Sequence, residues 1–200
     1  MSSVVEFYFD CGSPASWLAY TQLPALAEEQ GAVLQYRPVL LGGIFKATGN
    51  NTPAALPPKG QYLFRDLSRF ARRYGVPLTF PPGFPVNTLT LMRIVTGVQM
   101  HQPDQIGACI EALFRMLWAH GINPEDETGL WNALAGAGLD ADAVLAFADR
   151  DDVKHALKEA TNKAVERGLF GLPTIFVDGE MYWGQDRLDF VREQLEASAT

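Results

Sequence analysis

The sequence predicts an α/β fold that a large all-helical insertion interrupts. A strand–helix–strand pattern opens the chain, the middle is helical throughout, and strand periodicity returns only at residues 174–183. Two hydrophobic strands joined by a helix form a right-handed unit with parallel strands. We therefore assign the two parts of an α/β domain to residues 1–41 and 166–200, and the helical insertion to residues 42–165.

The first strand and the helix after it define the most informative position. Residues 4–9 are β-branched, aromatic and mostly apolar, which favours a buried strand. Ser13 then stands at a helix N-cap and Pro14 at the first helical position, where a missing N–H costs nothing. The helix is expected to kink at Pro24 and to end near Gly31. Free N–H groups and the helix dipole favour an anion beside the serine hydroxyl.

A second strand is predicted at residues 33–39, before a change of composition. Residues 41–60 are rich in glycine, proline and asparagine, so we expect a long loop there that is either functional or disordered. Helical spacing of apolar residues follows. Three helices are predicted from apolar faces formed by Leu63, Leu67, Phe70 and Tyr74; by Leu91, Ile94, Val95 and Val98; and by Ile106, Ile110, Leu113, Phe114 and Leu117. Shorter helices are expected at residues 127–136 and 141–148, followed by a longer one that ends at Gly168.

The C-terminal part begins with a strand at residues 174–177. Asp178 and Gly179 separate it from a second apolar run at residues 181–183, and an Asp-Gly pair in that setting predicts a β-hairpin. A last helix is expected to begin at Gln185 and Asp186.

Composition excludes several classes of function. A net charge of −7 argues against a nucleic-acid surface, because phosphate binding requires a basic face. We expect no membrane span and no signal peptide, and a cytoplasmic location. Cys11 and Cys109 are too few and too far apart for a disulfide scaffold. We interpret Cys11 as a lining or buried thiol, with a displaced nucleophile as the alternative, and Cys109 as structural. His101, His120 and His155 show no metal-ligand spacing, so no metal is expected.

Two short motifs are characteristic of a known fold. Residues 13–16 read Ser-Pro-Ala-Ser at the start of the first helix, and residues 171–174 read Gly-Leu-Pro-Thr before the third strand. This arrangement resembles the thioredoxin superfamily, including its DsbA-like members, in which a Cys-x-x-Cys motif faces a cis-proline loop. Both motif cysteines are absent here. A chain without two thiols has no dithiol to exchange, so a disulfide oxidoreductase is not expected.

Further segments recur in a specific order and spacing. They are Phe7-Tyr8-Phe9-Asp10 followed by Ser13-Pro14-Ala15-Ser16-Trp17, Phe45-Lys46-Ala47-Thr48-Gly49-Asn50, Pro57-Pro58-Lys59-Gly60, Phe84-Pro85-Val86-Asn87-Thr88, Gly171-Leu172-Pro173-Thr174 and Trp183-Gly184-Gln185-Asp186-Arg187-Leu188. Over nearly the full chain this pattern resembles the 2-hydroxychromene-2-carboxylate isomerases and the related kappa-class glutathione transferases.

The resemblance implies glutathione as the cofactor and assigns residues to it. Ser13 would be the catalytic residue, its hydroxyl hydrogen-bonded to the glutathione sulfur, although it is also explained as a plain N-cap. Leu172 would pair its backbone with the cysteinyl part, as an antiparallel strand does, unless it is only a turn residue. Gln185 and Asp186 would hold the γ-glutamyl end, and a simple cap also accounts for Asp186. Two residues of the long loop complete the predicted glutathione site, Asn50 and Lys59.

The resemblance also implies a substrate site for a small aromatic carboxylate. Lys46, Asn51 and Asn87 are its predicted ligands, because a cation and two amides suit a carboxylate. The alternatives are a solvated lysine, a turn asparagine and an N-cap asparagine, respectively.

The activity implied is that of a glutathione-dependent isomerase interconverting 2-hydroxychromene-2-carboxylate and trans-o-hydroxybenzylidenepyruvate, in naphthalene-type aromatic degradation. Such chemistry needs no nucleophile from the protein, which agrees with the missing motif cysteines. The alternatives are a kappa-class-like glutathione transferase or peroxidase and a non-catalytic thioredoxin-like binding module. The resemblance further implies a homodimer.

Overall fold

The computed structural model describes residues 2–198 and contains one mixed sheet of four strands within them. The strands are β1 (Val4–Phe9), β2 (Val33–Pro38), β3 (Thr174–Val177) and β4 (Glu180–Trp183). Their order in the sheet is β2-β1-β3-β4. β1 pairs with β2 in parallel, and β3 is antiparallel to both β1 and β4. The predicted parallel unit and C-terminal hairpin are therefore confirmed.

The helices of the described chain lie mostly between β2 and β3. They are α1 (Pro14–Tyr20), α2 (Leu23–Glu29), α3 (Leu41–Thr48), α4 (Pro57–Tyr74), α5 (Leu89–His101), α6 (Ile106–Phe114), α7 (Glu127–Gly136), α8 (Ala141–Ala146), α9 (Asp151–Glu166) and α10 (Leu188–Ser198). Shorter turns extend several of them, including a π-helical turn at Arg115–Ala119 after α6 and a 3-10 turn at Gln185–Arg187 before α10. The helical middle and the α/β fold class are as predicted.

The first helical segment differs from the prediction. Instead of one helix kinked at Pro24, the chain forms α1 and α2 with a break at Thr21 and Gln22. Pro24 lies in the first turn of α2, where its missing N–H leaves no hydrogen bond unmade. The expectation of a kink is wrong because the proline starts a new helix. As a result, α1 has only seven residues.

The prediction of a long loop at residues 41–60 is also wrong. Most of this segment belongs to α3 and to the start of α4, joined by a 3-10 turn at Pro53–Ala55. α3 ends at Gly49, whose φ of 71° gives the left-handed cap typical of glycine. Gly43 lies inside α3, where a Cβ would come within 2.9 Å of the Thr161 side chain of α9. Its glycine therefore permits close helix packing rather than a flexible loop.

β1 is buried on both faces of the sheet. Phe7 and Phe9 are wholly buried in the larger core, which includes side chains from α1, α5 and α6. Tyr8 points to the other face, into a smaller core with Ile44 of α3 and Ala164 of α9. The end of β1 is therefore held between two packed layers. The larger core spans both the sheet and the helical block, and the division into an α/β domain and a separate insertion stays a prediction.

Gly97 provides a test of the packing between α5 and the turn after α8. A Cβ at Gly97 would come within 2.7 Å of the Phe147 ring atom Cγ. We expect Gly97→Ala to lower the free energy of unfolding by about 1–3 kcal/mol, because overpacking forces side chains out of their rotamers. Urea denaturation measures the change. Gly136→Ala in α7, where a Cβ meets nothing within 4 Å, is the control and is expected to be neutral or stabilising. Equal effects of the two substitutions would contradict this packing.

Candidate active site

Ser13 lies at the turn between β1 and α1. Its N–H donates to the carbonyl oxygen of Asp10 at 3.0 Å, and its Oγ accepts the N–H of Ser16 at 3.1 Å. Its hydroxyl donates to the carbonyl oxygen of Leu172 at 3.3 Å. The predicted N-cap is therefore confirmed, and the hydroxyl faces the loop before β3. Ser13 is only 4% exposed, so this contact lies within the protein rather than on its surface.

The loop facing Ser13 contains a cis peptide bond between Leu172 and Pro173, as predicted. Two hydrogen bonds fix it: the Thr174 hydroxyl donates to the Gly171 carbonyl at 2.8 Å, and the Gly184 N–H donates to the Pro173 carbonyl at 3.0 Å. A Cβ at Gly171 would meet the indole nitrogen of Trp183 at 2.7 Å, so the glycine permits that close approach.

Gln185 and Asp186 lie at the start of the last helical segment. They directly follow Gly184, whose N–H is hydrogen-bonded to the cis-proline loop. Gln185 is 5% exposed, and its side-chain oxygen accepts the Tyr74 hydroxyl at 3.0 Å. The NH₂ group of the Gln185 side chain can donate hydrogen bonds. Burial raises the pKa of Tyr74, which keeps the phenol protonated. Asp186 is exposed, with a carboxylate oxygen 3.5 Å from Arg187.

The residues predicted on the loop at residues 41–60 are spread along α3, α4 and the segment between them. The Asn50 NH₂ donates to the Phe170 carbonyl at 2.8 Å and its side-chain oxygen accepts the Asn51 N–H at 2.8 Å, so Asn50 ties this segment to the chain just before Leu172. Lys46, Asn51 and Lys59 are exposed. Lys59 borders a surface depression of about 430 Å³, which is lined also by Pro53, Pro58, Tyr62, Leu63 and Asp66.

Asn87 lies two residues before the start of α5. Its side-chain oxygen accepts the N–H of Leu89, the first residue of the helix, at 3.0 Å. The N-cap position itself belongs to Thr88, so the alternative of an N-cap asparagine is wrong. Thr88 donates a hydroxyl hydrogen bond to the Asp10 carboxylate at 2.7 Å. Asn87 is therefore connected to the turn that bears Ser13, three residues beyond Asp10. Its predicted contact with a substrate stays a prediction.

An aromatic cluster beside this turn was not identified from the sequence. Trp118 is wholly buried and its indole N–H donates to the Cys11 carbonyl at 2.8 Å. Phe80 and Phe84 meet its ring edge-on, with centroids 5.7 and 5.6 Å away, and Phe64 contacts both phenylalanines. These three phenylalanines are half-buried. Phe84 lies in one of the motifs that the sequence analysis identified. Phe64 and Trp118 come from separate helical segments, and no pattern in the sequence predicts that they lie near Phe84.

The two thiols are far from being reactive. Cys11 and Cys109 are wholly buried and unpaired. Burial raises the pKa of Cys11 well above its usual value and that of Cys109 to about 12. Both sulfurs therefore stay protonated at neutral pH. Of the two environments expected for Cys11, lining or buried, the structure shows the buried one, and the burial of Cys109 agrees with the structural role expected for it.

Residues 2–198 contain neither a candidate metal centre nor a candidate membrane span. They contain no group of three histidine, cysteine, aspartate or glutamate side chains placed to hold a metal ion. Within the same residues, every helix is too short or too polar to cross a bilayer.

A cis-proline loop facing the first turn of a helix, on a sheet of order β2-β1-β3-β4, defines a protein of the thioredoxin-fold class. A family model described as a DSBA-like thioredoxin domain matches residues 4–196. The chain belongs to the DSBA-like thioredoxin family and, within it, to the enzyme family of the 2-hydroxychromene-2-carboxylate isomerases and their kappa-class relatives.

Full-length relatives support this assignment. The 2-hydroxychromene-2-carboxylate isomerase of Sphingobium xenophagum is 37% identical over 98% of this chain and 99% of its own length. That of Pseudomonas putida is 34% identical, covering 92% of this chain and 90% of the relative. Glutathione S-transferase kappa 1 of Rattus norvegicus is 32% identical, covering 94% of this chain and 88% of the relative.

Solved structures agree with the sequence comparison. The structure of a 2-hydroxychromene-2-carboxylate isomerase aligns with a TM-score of 0.88 at 31% identity, over 98% of this chain and 96% of that one. A probable DsbA oxidoreductase from Streptomyces coelicolor aligns with a TM-score of 0.74 over 96% and 88% of the two chains, but at 19% identity it supports the fold alone. The resemblance inferred from the motifs is thereby confirmed.

The burial of both cysteines gives a direct prediction. We expect Ellman's reagent at pH 8 to label almost none of the thiols of the native protein within minutes, because neither thiol is exposed or ionised. After denaturation in guanidinium chloride, both thiols should react. Rapid labelling of one thiol in the native state would show that Cys11 or Cys109 is accessible.

Proposed function

We propose that this protein is a glutathione-dependent isomerase that interconverts 2-hydroxychromene-2-carboxylate and trans-o-hydroxybenzylidenepyruvate. The observation on which the proposal depends is the Ser13 hydroxyl, 3.3 Å from the carbonyl of Leu172 in the cis-proline loop. It occupies the place of the reactive thiol in a chain whose own thiols are buried. Relatives of matching length named 2-hydroxychromene-2-carboxylate isomerase support the reaction.

The polar groups around Ser13 fit glutathione. The hydroxyl suits the sulfur, and the backbone of Leu172 lies beside it, suited to pairing with the cysteinyl part. The NH₂ of Gln185 and the carboxylate of Asp186 match the carboxylate and the ammonium of the γ-glutamyl end. We also keep Asn50 and Lys59 as proposed ligands. Asn50 already contacts the loop that leads to Leu172, through the Phe170 carbonyl.

When bound, glutathione supplies the thiolate nucleophile that this chain lacks. Ser13 would hold that sulfur with its hydroxyl, whose hydrogen bond to the Leu172 carbonyl is long for O–H···O at 3.3 Å. The Ser16 N–H donates to the Ser13 oxygen and fixes its position. A hydrogen bond to the ionised form lowers a pKa, and each unit corresponds to about 1.4 kcal/mol. Because α1 is so short, the proposal depends on the hydroxyl rather than on the helix dipole.

The aromatic cluster supplies a surface for the aryl group of the substrate. Phe64, Phe80 and Phe84 are partly exposed; Phe80 and Phe84 pack on Trp118, and Phe64 packs on both of these phenylalanines. The Trp118 indole is hydrogen-bonded to the carbonyl of Cys11, two positions before Ser13. Aromatic walls of this kind bind planar rings and exclude water. We propose Lys46, Asn51 and Asn87 as partners of the substrate carboxylate, since they combine a positive charge with two amides. The homodimer and the cytoplasmic location expected from the sequence stay predictions.

Replacing Ser13 tests the proposal. We expect Ser13→Ala to raise the pKa of bound glutathione and to lower kcat/KM by roughly 10- to 100-fold, since a hydrogen bond to a charged group contributes about 1.5–3 kcal/mol. Ultraviolet titration of the bound thiolate and steady-state kinetics measure the two effects. An unchanged thiolate absorbance would count against the role of Ser13.

Ser16→Ala is the matched control for that substitution. The Ser16 hydroxyl is also buried and lies in the same helix, but its oxygen has no hydrogen-bond partner among the described residues. Its removal leaves no partner unsatisfied, so activity should stay within about twofold of the wild type. Ser13→Ala also removes an N-cap, which costs about 1 kcal/mol of stability, and denaturation of both variants separates this loss from the loss of activity.

A kappa-class-like transferase is the second candidate, because the Rattus norvegicus transferase is 32% identical over most of the chain. Product analysis separates the two activities. An isomerase returns all glutathione after complete conversion of 2-hydroxychromene-2-carboxylate, whereas a transferase consumes one glutathione for each electrophile conjugated. Calorimetry that detects no binding at millimolar glutathione would instead support a non-catalytic module.

A further inference from the structure

Asp10 is a buried carboxylate at the end of β1, only 1% exposed. It accepts hydrogen bonds from three separate segments. The Gly12 N–H donates to Oδ1 at 2.8 Å, the Thr88 hydroxyl donates to Oδ1 at 2.7 Å, and the Leu41 N–H donates to Oδ2 at 2.8 Å. Both oxygens are therefore occupied by donors that lie 2, 78 and 31 positions away in sequence.

Within residues 2–198, no lysine, arginine or histidine forms an ion pair with this acid. Among the described residues, the ion pairs of lysine, arginine and histidine all involve other carboxylates. Burial raises the pKa of Asp10, and the three hydrogen bonds oppose that rise. A buried carboxylate is costly unless its oxygens are bonded. The three donors are thus what allows the group to be buried, and losing any of them is unfavourable.

Each donor lies in or beside a segment that bears a candidate ligand. Gly12 belongs to the turn that presents Ser13, whose own N–H donates to the Asp10 carbonyl. Leu41 is the first residue of α3, which bears Lys46 and leads to Asn50. Thr88 stands at the N-cap of α5, beside Asn87.

We propose that Asp10 is a positioning residue that holds the Ser13 turn in register with the start of α3 and the start of α5. Through these bonds a single carboxylate sets the distance between the site of the sulfur and the sites of the substrate carboxylate. This role rests on the proposed function, because it presumes that α3 and α5 contribute ligands. The packing agrees with it: a Cβ at Gly12 would come within 3.0 Å of the Thr88 methyl group, so turn and helix are in close contact.

The geometry allows the bonds to be broken separately. In Asp10→Asn the amide oxygen can still accept from Gly12 and Thr88, but the NH₂ group then opposes the Leu41 N–H. That variant interrupts the connection to α3. Thr88→Val keeps the shape of the side chain and removes only the hydroxyl donor, whereas Thr88→Ser keeps the donor. This pair isolates the connection to α5.

The experiment uses the full-length protein and two kinds of readout. Hydrogen exchange is expected to increase by about tenfold at the Leu41 amide in Asp10→Asn and to stay unchanged there in Thr88→Val, because exchange follows local opening. In kinetics and calorimetry, Asp10→Asn should raise both the KM for 2-hydroxychromene-2-carboxylate and the Kd for glutathione by about tenfold, as expected when a buried hydrogen bond is lost. Thr88→Val should raise only the substrate KM, by about fivefold.

Two controls should stay within about twofold of the wild type in all measurements. Thr88→Ser retains the hydroxyl, and Asp140→Asn alters an exposed aspartate that caps α8 through the Ala143 N–H. If Asp10→Asn and Thr88→Val change stability but leave KM, Kd and exchange at control values, Asp10 has only a structural role and the proposal is overturned.

Two other outcomes stay decisive. If Asp10→Asn fails to fold, equal substrate KM values for Thr88→Val and Thr88→Ser overturn the proposal. If the wild type binds no glutathione, the proposed function fails. In that case, unchanged exchange at Leu41 in Asp10→Asn would separately refute the connection between the Ser13 turn and α3.

Discussion

The hydrogen bond from the Ser13 hydroxyl to the Leu172 carbonyl joins two turns that lie 159 positions apart in the chain. The sheet makes this contact possible. β1 lies between β2 and β3, and the register that pairs Tyr8 with Thr174 brings the end of β1 to the start of β3. The buried aromatic layer around β1 keeps that edge rigid. The candidate site therefore depends on strand order, and its two halves have no local connection.

Local chemistry accounts for the parts of the fold that the sequence predicts. A serine before a proline predicts an N-cap, and an Asp-Gly pair predicts a tight hairpin, whatever surrounds them. Residues 41–60 show where such reasoning stops. Their glycines suggested a loop, yet Gly43 is helical, and position 43 is a glycine because a neighbouring helix passes too close for a side chain. Composition describes the propensity of a segment, whereas the helix packed against it decides the outcome.

The same distinction applies to the site. Ser13 and the loop of Pro173 were predictable because each has a motif of its own. The aromatic cluster was not, since Phe64, Phe84 and Trp118 meet only when separate helical segments pack together. Asp10 was overlooked although it stands three residues before Ser13. Its importance comes from donors at Leu41 and Thr88, and a sequence does not show which distant N–H or hydroxyl a carboxylate will meet.

Burial of both cysteines has a consequence for the durability of the enzyme. A nucleophilic sulfur oxidised beyond the disulfide level is lost to its protein for good. Here the protein's own sulfurs are enclosed and protonated, and under the proposed function the vulnerable atom arrives with a small, replaceable molecule. Oxidative damage would then be discarded with a spent tripeptide. Working lifetime would follow the supply of reduced peptide from outside, and the polypeptide would survive intact.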